Sequence, residues 1–433
     1  MSADLREELD SLARTQTFSP DPTAWERGRR ARRRGHVLAV AAVLAILASV
    51  GGVATLVSVD DDREARTAST EVVEGGAIPS RIIDPGGLEA ETDLAVGRAS
   101  VAFVGSDGRP VVVTATDGRY HGLALTGWDG RLLSLSPDGT HLAWTIESDT
   151  EGRLREGFAL LDLVSGDIRL ISSGSPASIT PEAISWSPSS TWLTWFAGDT
   201  VTRTRVESTA VETSATGKQV EWSAVDDDGV VTFYAQGPRR WGLDGAYGRM
   251  TMSEDASFDA PRRGRNDAAI ASPSGRTVAL ASSADAAAVD FLDSGRFAER
   301  ALAPDLYPAG AAVRPLGWAD DSLLLAHVDA PSGSYVEGPH LALLTSPDRP
   351  RSEWTYRIVM RDVPDVTELG VAVDLVPDLD GTSSQRFTHD FGASPASPRP
   401  LGIELSLFIG LAVAAAIAVL LALRWLWRRL LGP

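Results

Sequence analysis

One pattern recurs through the middle of this 433-residue chain: an alternating apolar segment, a tight turn and a second alternating segment. Apolar side chains that alternate with period two are typical of a β-strand with one buried face. Pro followed by Asp-Gly or Ser-Gly favours a reversal of the chain. The pattern therefore predicts a series of β-hairpins. Five clear copies lie at 131–146, 182–197, 219–235, 268–282 and 314–328, and a degenerate copy lies at 99–115.

The spacing of these hairpins indicates a repeat fold. Their turns are separated by roughly 30 to 50 residues, and a four-stranded propeller blade occupies about 40 to 50 residues. Two further hairpins, 157–173 and 286–302, have Ser-Gly at their turns and supply the second half of a blade. The predicted turns of the repeat fall at Gly108, Gly139, Ser190, Gly229, Gly275 and Ser322.

Two neighbouring motifs resemble the repeats of known families. Ser136–Trp144 reads SPDGTHLAW, and Leu160–Asp167 reads LLDLVSGD. Both resemble the repeats of TolB-like and WD-repeat β-propellers, and the resemblance extends over roughly 98–380. Other copies depart from the pattern, since Ser189-Ser190 replaces Asp-Gly and Ala319-Asp320 replaces Ser-Pro. The resemblance implies a fold and leaves the function open.

We therefore expect an all-β fold, a six- or seven-bladed β-propeller over 98–381. The stretch 340–381 supplies either another blade or the closure of the ring. Closure would place the first and last strands side by side and remove exposed sheet edges. A sandwich of two β-domains is the structural alternative.

Two uncharged apolar runs flank the repeats, Val37–Val59 and Leu405–Leu423. As helices they would reach about 34 and 28 Å, and the hydrocarbon core of a bilayer is about 30 Å thick. Arginines precede the first run and follow the second, so the positive-inside rule predicts that both termini are cytoplasmic. We expect a plasma-membrane protein with two transmembrane helices and its main domain outside. The flanking arginines are Arg27, Arg29, Arg30, Arg32, Arg33, Arg34, Arg424, Arg428 and Arg429.

The remaining segments complete the predicted organisation. Residues 1–36 form a cytoplasmic head, in which 3–14 has leucines at helical spacing and is a possible docking site for a cytoplasmic partner or a helix that lies on the bilayer. Residues 60–97 are a stalk and approach to the first blade, 382–404 are a Pro/Ser-rich stalk, and 424–433 are a short cytoplasmic tail.

The first apolar run has an alternative interpretation as a cleaved export signal, with GGVA before Thr55 as a weak cleavage site. The whole layout resembles that of two-span actinobacterial membrane proteins. It also resembles, more loosely, transmembrane anti-sigma factors, although the zinc-type His/Cys motif is missing from the head.

Composition excludes several classes of protein. Cysteine is absent, which excludes disulfides, thiolate metal sites and a cysteine nucleophile. The net charge of −18 argues against nucleic acid as a partner. The chain lacks a nucleophile elbow, a phosphate loop and an H-E-x-x-H motif. We therefore predict no catalytic, cofactor-binding or metal-ligating residues and no cofactor.

Two acidic clusters and the tryptophans were weighed as candidate sites. Asp226–Gly229 and Asp378–Gly381 resemble parts of an EF-hand loop, but Ala224 and Val376 replace its first acidic ligand. We interpret both clusters as turns. The tryptophans form either an aromatic ligand surface or packing between blades, and their regular placement in the repeats favours packing. They are Trp144, Trp186, Trp192, Trp195, Trp222 and Trp318.

These features predict a non-catalytic function. We expect the propeller to bind a protein or cell-envelope ligand through the loops of one ring face, because a rigid scaffold leaves specificity to its loops. The other expected partners are the lipid bilayer and a cytoplasmic protein that docks on residues 3–14. A cell-envelope enzyme of the glycosidase or lyase type, with carboxylates at the propeller mouth, is one alternative. Signal relay across the membrane to the head is the other.

Overall fold

The regular secondary structure is almost entirely β-strand in the part of the chain that the computed structural model describes, which is residues 72–146, 157–172, 181–243, 247–249, 269–281, 288–302, 307, 310–382 and 384–392. These residues form 25 strands and two short 3-10 helices, Arg351–Glu353 and Val373–Leu375. The predicted membrane segments Val37–Val59 and Leu405–Leu423 and the head lie outside them. No helix in the described ranges is long and apolar enough to cross a membrane.

Five blades are each built from four consecutive antiparallel strands. The first strand of each blade is the innermost, because these first strands contact one another around the ring. Blade two contains β5 (Trp128–Leu135), β6 (His141–Ile146), β7 (Gly157–Asp162) and β8 (Ile168–Ser172). Blade three contains β9 (Ala183–Trp186), β10 (Trp192–Ala197), β11 (Thr200–Arg205) and β12 (Val211–Ala215). Blade four contains β13 (Trp222–Val225), β14 (Val231–Tyr234), β15 (Pro238–Trp241) and β16 (Tyr247–Arg249). Blade five contains β17 (Ala269–Ala271), β18 (Thr277–Leu280), β19 (Ala288–Asp293) and β20 (Arg296–Ala301). Blade six contains β21 (Ala312–Asp320), β22 (Leu323–Ala330), β23 (Gly338–Thr345) and β24 (Tyr356–Met360).

Blade one closes the ring with strands from both ends of the propeller. Its innermost strand is the last in sequence, β25 (Thr367–Val371), which pairs antiparallel with β2 (Ala99–Val104). The blade continues outward through β3 (Pro110–Thr114) and β4 (Tyr120–Leu123), and the short β1 (Ala90–Glu91) adds in parallel to β4. The propeller is therefore six-bladed, and the stretch 340–381 both completes blade six and closes the ring.

All six predicted turns are found between paired strands. Five of them join the first and second strands of blades two to six, but Gly108 joins β2 to β3, the second and third strands of blade one. The closure causes this offset, because blade one takes its innermost strand from the far end of the propeller. For that reason the step from Gly108 to Gly139 is the shortest of the series.

The apolar core lies between the blades. Six clusters of buried side chains each combine residues of two neighbouring blades, and together they run around the whole ring. The six tryptophans of the repeat strands are all buried in the packing between blades, and two of them, Trp186 and Trp318, also border the space at the centre of the ring. Some also bond between blades, since Trp186 Nε1 donates to Ser134 Oγ at 2.9 Å and Trp318 Nε1 donates to the Ile270 carbonyl at 3.0 Å.

The two ends of the described chain lie side by side on blade one. The His389 amide donates to the Ile78 carbonyl and the Ser80 amide donates to the His389 carbonyl, both at 2.8 Å. Both ends also reach the turn between β3 and β4, because the Val73 amide donates to the Thr116 carbonyl at 2.9 Å and a Cβ on Gly118 would lie 2.6 Å from the Phe391 ring. Parts of both segments assigned to stalks therefore pack on the propeller.

Candidate functional site: the central cavity

The two faces of the ring differ in what they carry. The turns between the first and second strands of blades two to six lie on one face, named here the turn face. The connections from one blade to the next lie on the opposite face, named the loop face. Each innermost strand therefore begins at the loop face and ends at the turn face.

A cavity of about 420 Å³ lies on the axis of the propeller. Residues of five of the six innermost strands line it, namely β5, β9, β17, β21 and β25. The strand β13 does not line the cavity. Its two neighbours in the ring, β9 and β17, are joined in front of it, because Ser185 Oγ on β9 donates to the Ala269 carbonyl on β17 at 2.8 Å. The cavity therefore lies near the axis but on the side away from blade four.

The lining changes from charged to apolar along the strands. Four charged residues lie at or beside the loop-face ends of four innermost strands: Arg131, Glu182, Arg314 and Glu368. The turn-face end is lined by Leu135, Pro137, Trp186, Pro188, Trp318 and Gly370. This gradient suits a ligand with a polar and an apolar part.

Two of the four charges are already engaged by neighbouring groups. Arg131 pairs with Asp129 at 2.8 Å, and Glu182 accepts the Gly198 amide at 3.1 Å. Arg314 is different. Its Nη2 donates to the Leu369 carbonyl at 2.7 Å, and no carboxylate oxygen of the described residues lies within 4.0 Å of its guanidinium. Burial lowers the pKa of Arg314, and the more distant carboxyl of Glu368 offsets this effect.

Glu368 reaches the cavity through an irregular backbone. Its φ is +52°, in the left-handed region that glycine normally occupies. It lies in a β-bulge of β25, where the pairing with β2 shifts between Ala102 and Val104. A β-bulge changes the direction of a side chain, and bulges are common next to functional sites. A non-glycine residue in the left-handed region destabilises the fold by about 1–3 kcal/mol, and such residues also cluster at functional sites. Burial raises the pKa of Glu368, while Arg314 and the Leu133 amide oppose the rise.

A second buried polar cluster lies between blades five and six. His340 Nδ1 lies 2.9 Å from the Gly338 carbonyl, so this nitrogen carries the proton and Nε2 is left as an acceptor. Tyr356 Oη, at 2.7 Å, donates to Nε2, and Tyr307 Oη contacts both groups. Every polar atom that the cluster presents is satisfied by another member, which is typical of a structural network.

The acidic clusters weighed in the sequence are turns. Asp226 is buried, accepts the Val230 amide at 2.8 Å and lies 3.3 Å from Arg240 Nη2. Asp380 accepts the amide of Thr382 at 2.7 Å in a loop outside the strands. In the part of the chain that the structure describes, no three His, Asp or Glu side chains are grouped as metal ligands would be.

The cavity also shows how its carboxylates are arranged. Glycosidic cleavage normally needs two carboxyl groups that face each other across about 5–10 Å. Of the two glutamates that line the cavity, Glu368 interacts electrostatically with Arg314, and Glu182 bonds to the Gly198 amide. The described lining therefore brings the guanidinium of Arg314, two carboxylates and apolar walls together around one cavity, an arrangement that can bind a ligand.

Sequence reasoning did not single out Arg314 or Glu368. Each stands alone in its own strand, and 53 residues separate them along the chain. The one sequence feature that could have identified them is a charged residue on a predicted innermost strand, where a blade normally presents apolar or small side chains.

No protein-family model matches the chain, and no curated protein matches it. Several solved structures are similar in fold. TolB from Acinetobacter baumannii is 16% identical with a TM-score of 0.36, over 63% of this chain and 66% of that one. A protein from Lactobacillus plantarum is 12% identical with a TM-score of 0.40, over 61% and 82%. The β-propeller domain of Cps50 (Swd1) from Myceliophteria thermophila is 13% identical with a TM-score of 0.35, over 53% and 70%.

Proposed function

We propose that this protein is a membrane-anchored propeller outside the cell that binds a protein or cell-envelope ligand without converting it. The observation that carries the proposal is the central cavity, which is lined by the half-buried side chain of Arg314 together with apolar side chains. A largely preformed, mostly apolar cavity with a few placed polar groups is the usual form of a ligand site. The lining supplies charged and apolar recognition groups.

The placement of the chain ends supports the anchoring. Residues near 73 and 391 both lie at the turn between β3 and β4, and this turn is on the turn face. About a dozen residues separate each end from the nearest apolar run, Val37–Val59 or Leu405–Leu423. Tethers of that length reach at most about 40 Å. Two short tethers from one corner would hold the turn face toward the bilayer.

This orientation assigns the binding surface. The loop face, with the charged end of the cavity, points away from the membrane and meets ligands of the envelope. The chain as a whole has a net charge of −18, and its acidic residues outside the basic termini disfavour contact of the propeller with anionic headgroups. The same orientation leaves the turn face without access to a large partner.

Photo-crosslinking in intact membranes tests the proposal. A photoreactive residue replaces Tyr335, which is 65% exposed on the loop face, or Leu243, which is 53% exposed on the turn face. We expect a discrete crosslinked species from position 335 and none from position 243. Equal crosslinking at both positions, or crosslinking from position 243 alone, would contradict the assignment of the binding face.

A further inference from the structure

Arg314 lines the central cavity, and its guanidinium has no ion-pair partner within 4.0 Å among the described residues. A guanidinium has five N–H donors, and the Leu369 carbonyl accepts from only one nitrogen. The other donors of Arg314 have no hydrogen-bond partner among the described residues, so they are available to an anion that enters the cavity.

The surroundings of Arg314 select the kind of anion. A guanidinium binds carboxylate and phosphate with two parallel hydrogen bonds. Glu368 and Glu182 line the same end of the cavity and disfavour a doubly charged phosphate more than a singly charged carboxylate. Beyond these charges the walls are formed by Leu135, Trp186 and Trp318, which suit an apolar group.

We propose that the central cavity binds a ligand with one carboxylate and an apolar side group, with the carboxylate paired to Arg314 and the apolar group toward the turn-face end. The cavity of about 420 Å³ has the size of a small-ligand site. A free organic acid and the C-terminal carboxylate of a peptide share this chemistry. The inference deepens the proposed binding function and names the chemical class that the cavity accepts.

Binding of a matched pair of probes to the full-length protein tests this inference. N-acetyl-leucine carries the carboxylate and N-acetyl-leucinamide replaces it with a neutral group of the same shape, so calorimetry on the two compares the charge alone. We expect the acid to bind at least about tenfold more tightly than the amide, as befits a charge-assisted pair. Equal affinity of the two probes, or no binding of the acid at millimolar concentration, would overturn the proposal.

Variants connect the preference to Arg314. Arg314→Gln should weaken the acid by about tenfold or more, while Arg131→Gln, in the same cavity but paired with Asp129, should change its affinity less than about twofold. Arg314→Lys keeps the charge and should retain part of the affinity for the acid. Its partial binding, and an unfolding transition unchanged from the wild type, would show that the substitutions do not damage the fold. An Arg314→Gln variant that is folded and binds the acid as tightly as the wild type would overturn the assignment.

The source of the carboxylate is separated by a longer probe. The natural ligand class is a peptide C-terminus if acetyl-Ala-Ala-Leu binds more tightly than N-acetyl-leucine and the C-terminal amide of the same peptide does not. The natural ligand class is a free organic acid if N-acetyl-leucine binds and the peptide does not. Crosslinking from position 335 does not involve Arg314, so it would persist if the carboxylate site failed and the loop-face binding stood.

Discussion

The amide of Asp138 donates to Oγ of Ser190 at 3.0 Å, and this bond joins the first turn of blade two to the first turn of blade three. Similar bonds continue around the turn face. The amide of Ser189 donates to Asp227 Oδ1 at 2.6 Å, and the amide of Ser274 donates to Asp321 Oδ1 at 3.0 Å. The turns of the repeat therefore hold neighbouring blades together in addition to reversing the chain.

Substitutions at Ser190 should separate these two roles. Its φ is +59°, so Ser190→Gly relieves the backbone but removes the bond to Asp138, and we expect a change within about 1 kcal/mol. Ser190→Ala keeps the unfavourable backbone and removes the bond, so it should destabilise by about 1–2 kcal/mol. Chemical denaturation of the two variants provides the comparison. A glycine variant less stable than the alanine variant would show that the left-handed backbone at Ser190 is not strained, and two variants as stable as the wild type would show that the bond to Asp138 contributes little.

A pair of glycines tests the packing of blade two against blade one. Gly139 and Gly130 have nearly the same φ, +74° and +79°. A Cβ on Gly139 would collide with the Ala99 carbonyl at the start of β2, while a Cβ on Gly130 would meet open space. We expect Gly139→Ala to destabilise by about 3 kcal/mol or more and Gly130→Ala by about 1 kcal/mol. Equal midpoints of thermal unfolding for both variants would place the Gly139 turn away from β2.

Much of the fold could be predicted because its signals are local. Ser136–Trp144 contains a complete hairpin turn, and the same chemistry at Pro273-Ser274-Gly275 marks another. The sequence predicts six or seven blades without deciding between them, because the strand that closes the ring pairs with a strand that is distant in sequence. The strand Thr367–Val371 follows blade six in sequence, but it pairs with Ala99–Val104 at the other end of the propeller. No feature of either segment alone specifies that partner.

Substitution of Ile78 tests how firmly the approach segment belongs to the propeller. The side chain of Ile78 is fully buried in the core between blades six and one, while Val72 is 66% exposed. We expect Ile78→Ala to destabilise the propeller by about 2–4 kcal/mol, and Val72→Ala to leave it within about 0.5 kcal/mol. Urea denaturation followed by tryptophan fluorescence measures both. An Ile78→Ala variant as stable as the wild type would mean that the segment is not part of the cooperative unit.

His327 should make stability depend on pH. Burial, together with the neighbouring Arg314 and His340, lowers the pKa of His327 to about 4. In the unfolded chain its pKa is about 6.5, so below that pH the unfolded state gains a proton that the folded state does not. The contribution of neutral His327 to the free energy of unfolding is therefore constant above about pH 7 and is lost as the pH falls toward 4.

The matched variant for this effect is His327→Gln, which keeps a polar side chain without the titration. Relative to this variant, the wild type should lose on the order of 2 kcal/mol between pH 7 and pH 4, measured as the free energy of unfolding in urea. The carboxyls with raised pKa, such as Glu368, act on both proteins and cancel in the difference. Parallel pH profiles would show that His327 titrates normally in the folded state.

The candidate site was less predictable than the fold. Arg314 and Glu368 line the same cavity only because β21 and β25 are neighbours around the axis of the ring. The β-bulge at Glu368 interrupts the in–out alternation of side chains, so the strand pattern does not predict on which side Glu368 lies. The tryptophans were predictable as packing residues, because their regular positions in the repeats place them between blades. A single charged residue in an apolar strand carries no such regularity.

Labelling of single cysteines in intact cells tests most directly the claim that the propeller stands outside the membrane with its loop face exposed. The chain has no cysteine, so Tyr335→Cys and Ser2→Cys each introduce a unique thiol, on the loop face and in the predicted cytoplasmic head. With a membrane-impermeant maleimide, we expect Tyr335→Cys to be labelled in intact cells and Ser2→Cys only after lysis. Labelling of Ser2→Cys in intact cells, or protection of Tyr335→Cys until lysis, would contradict the account.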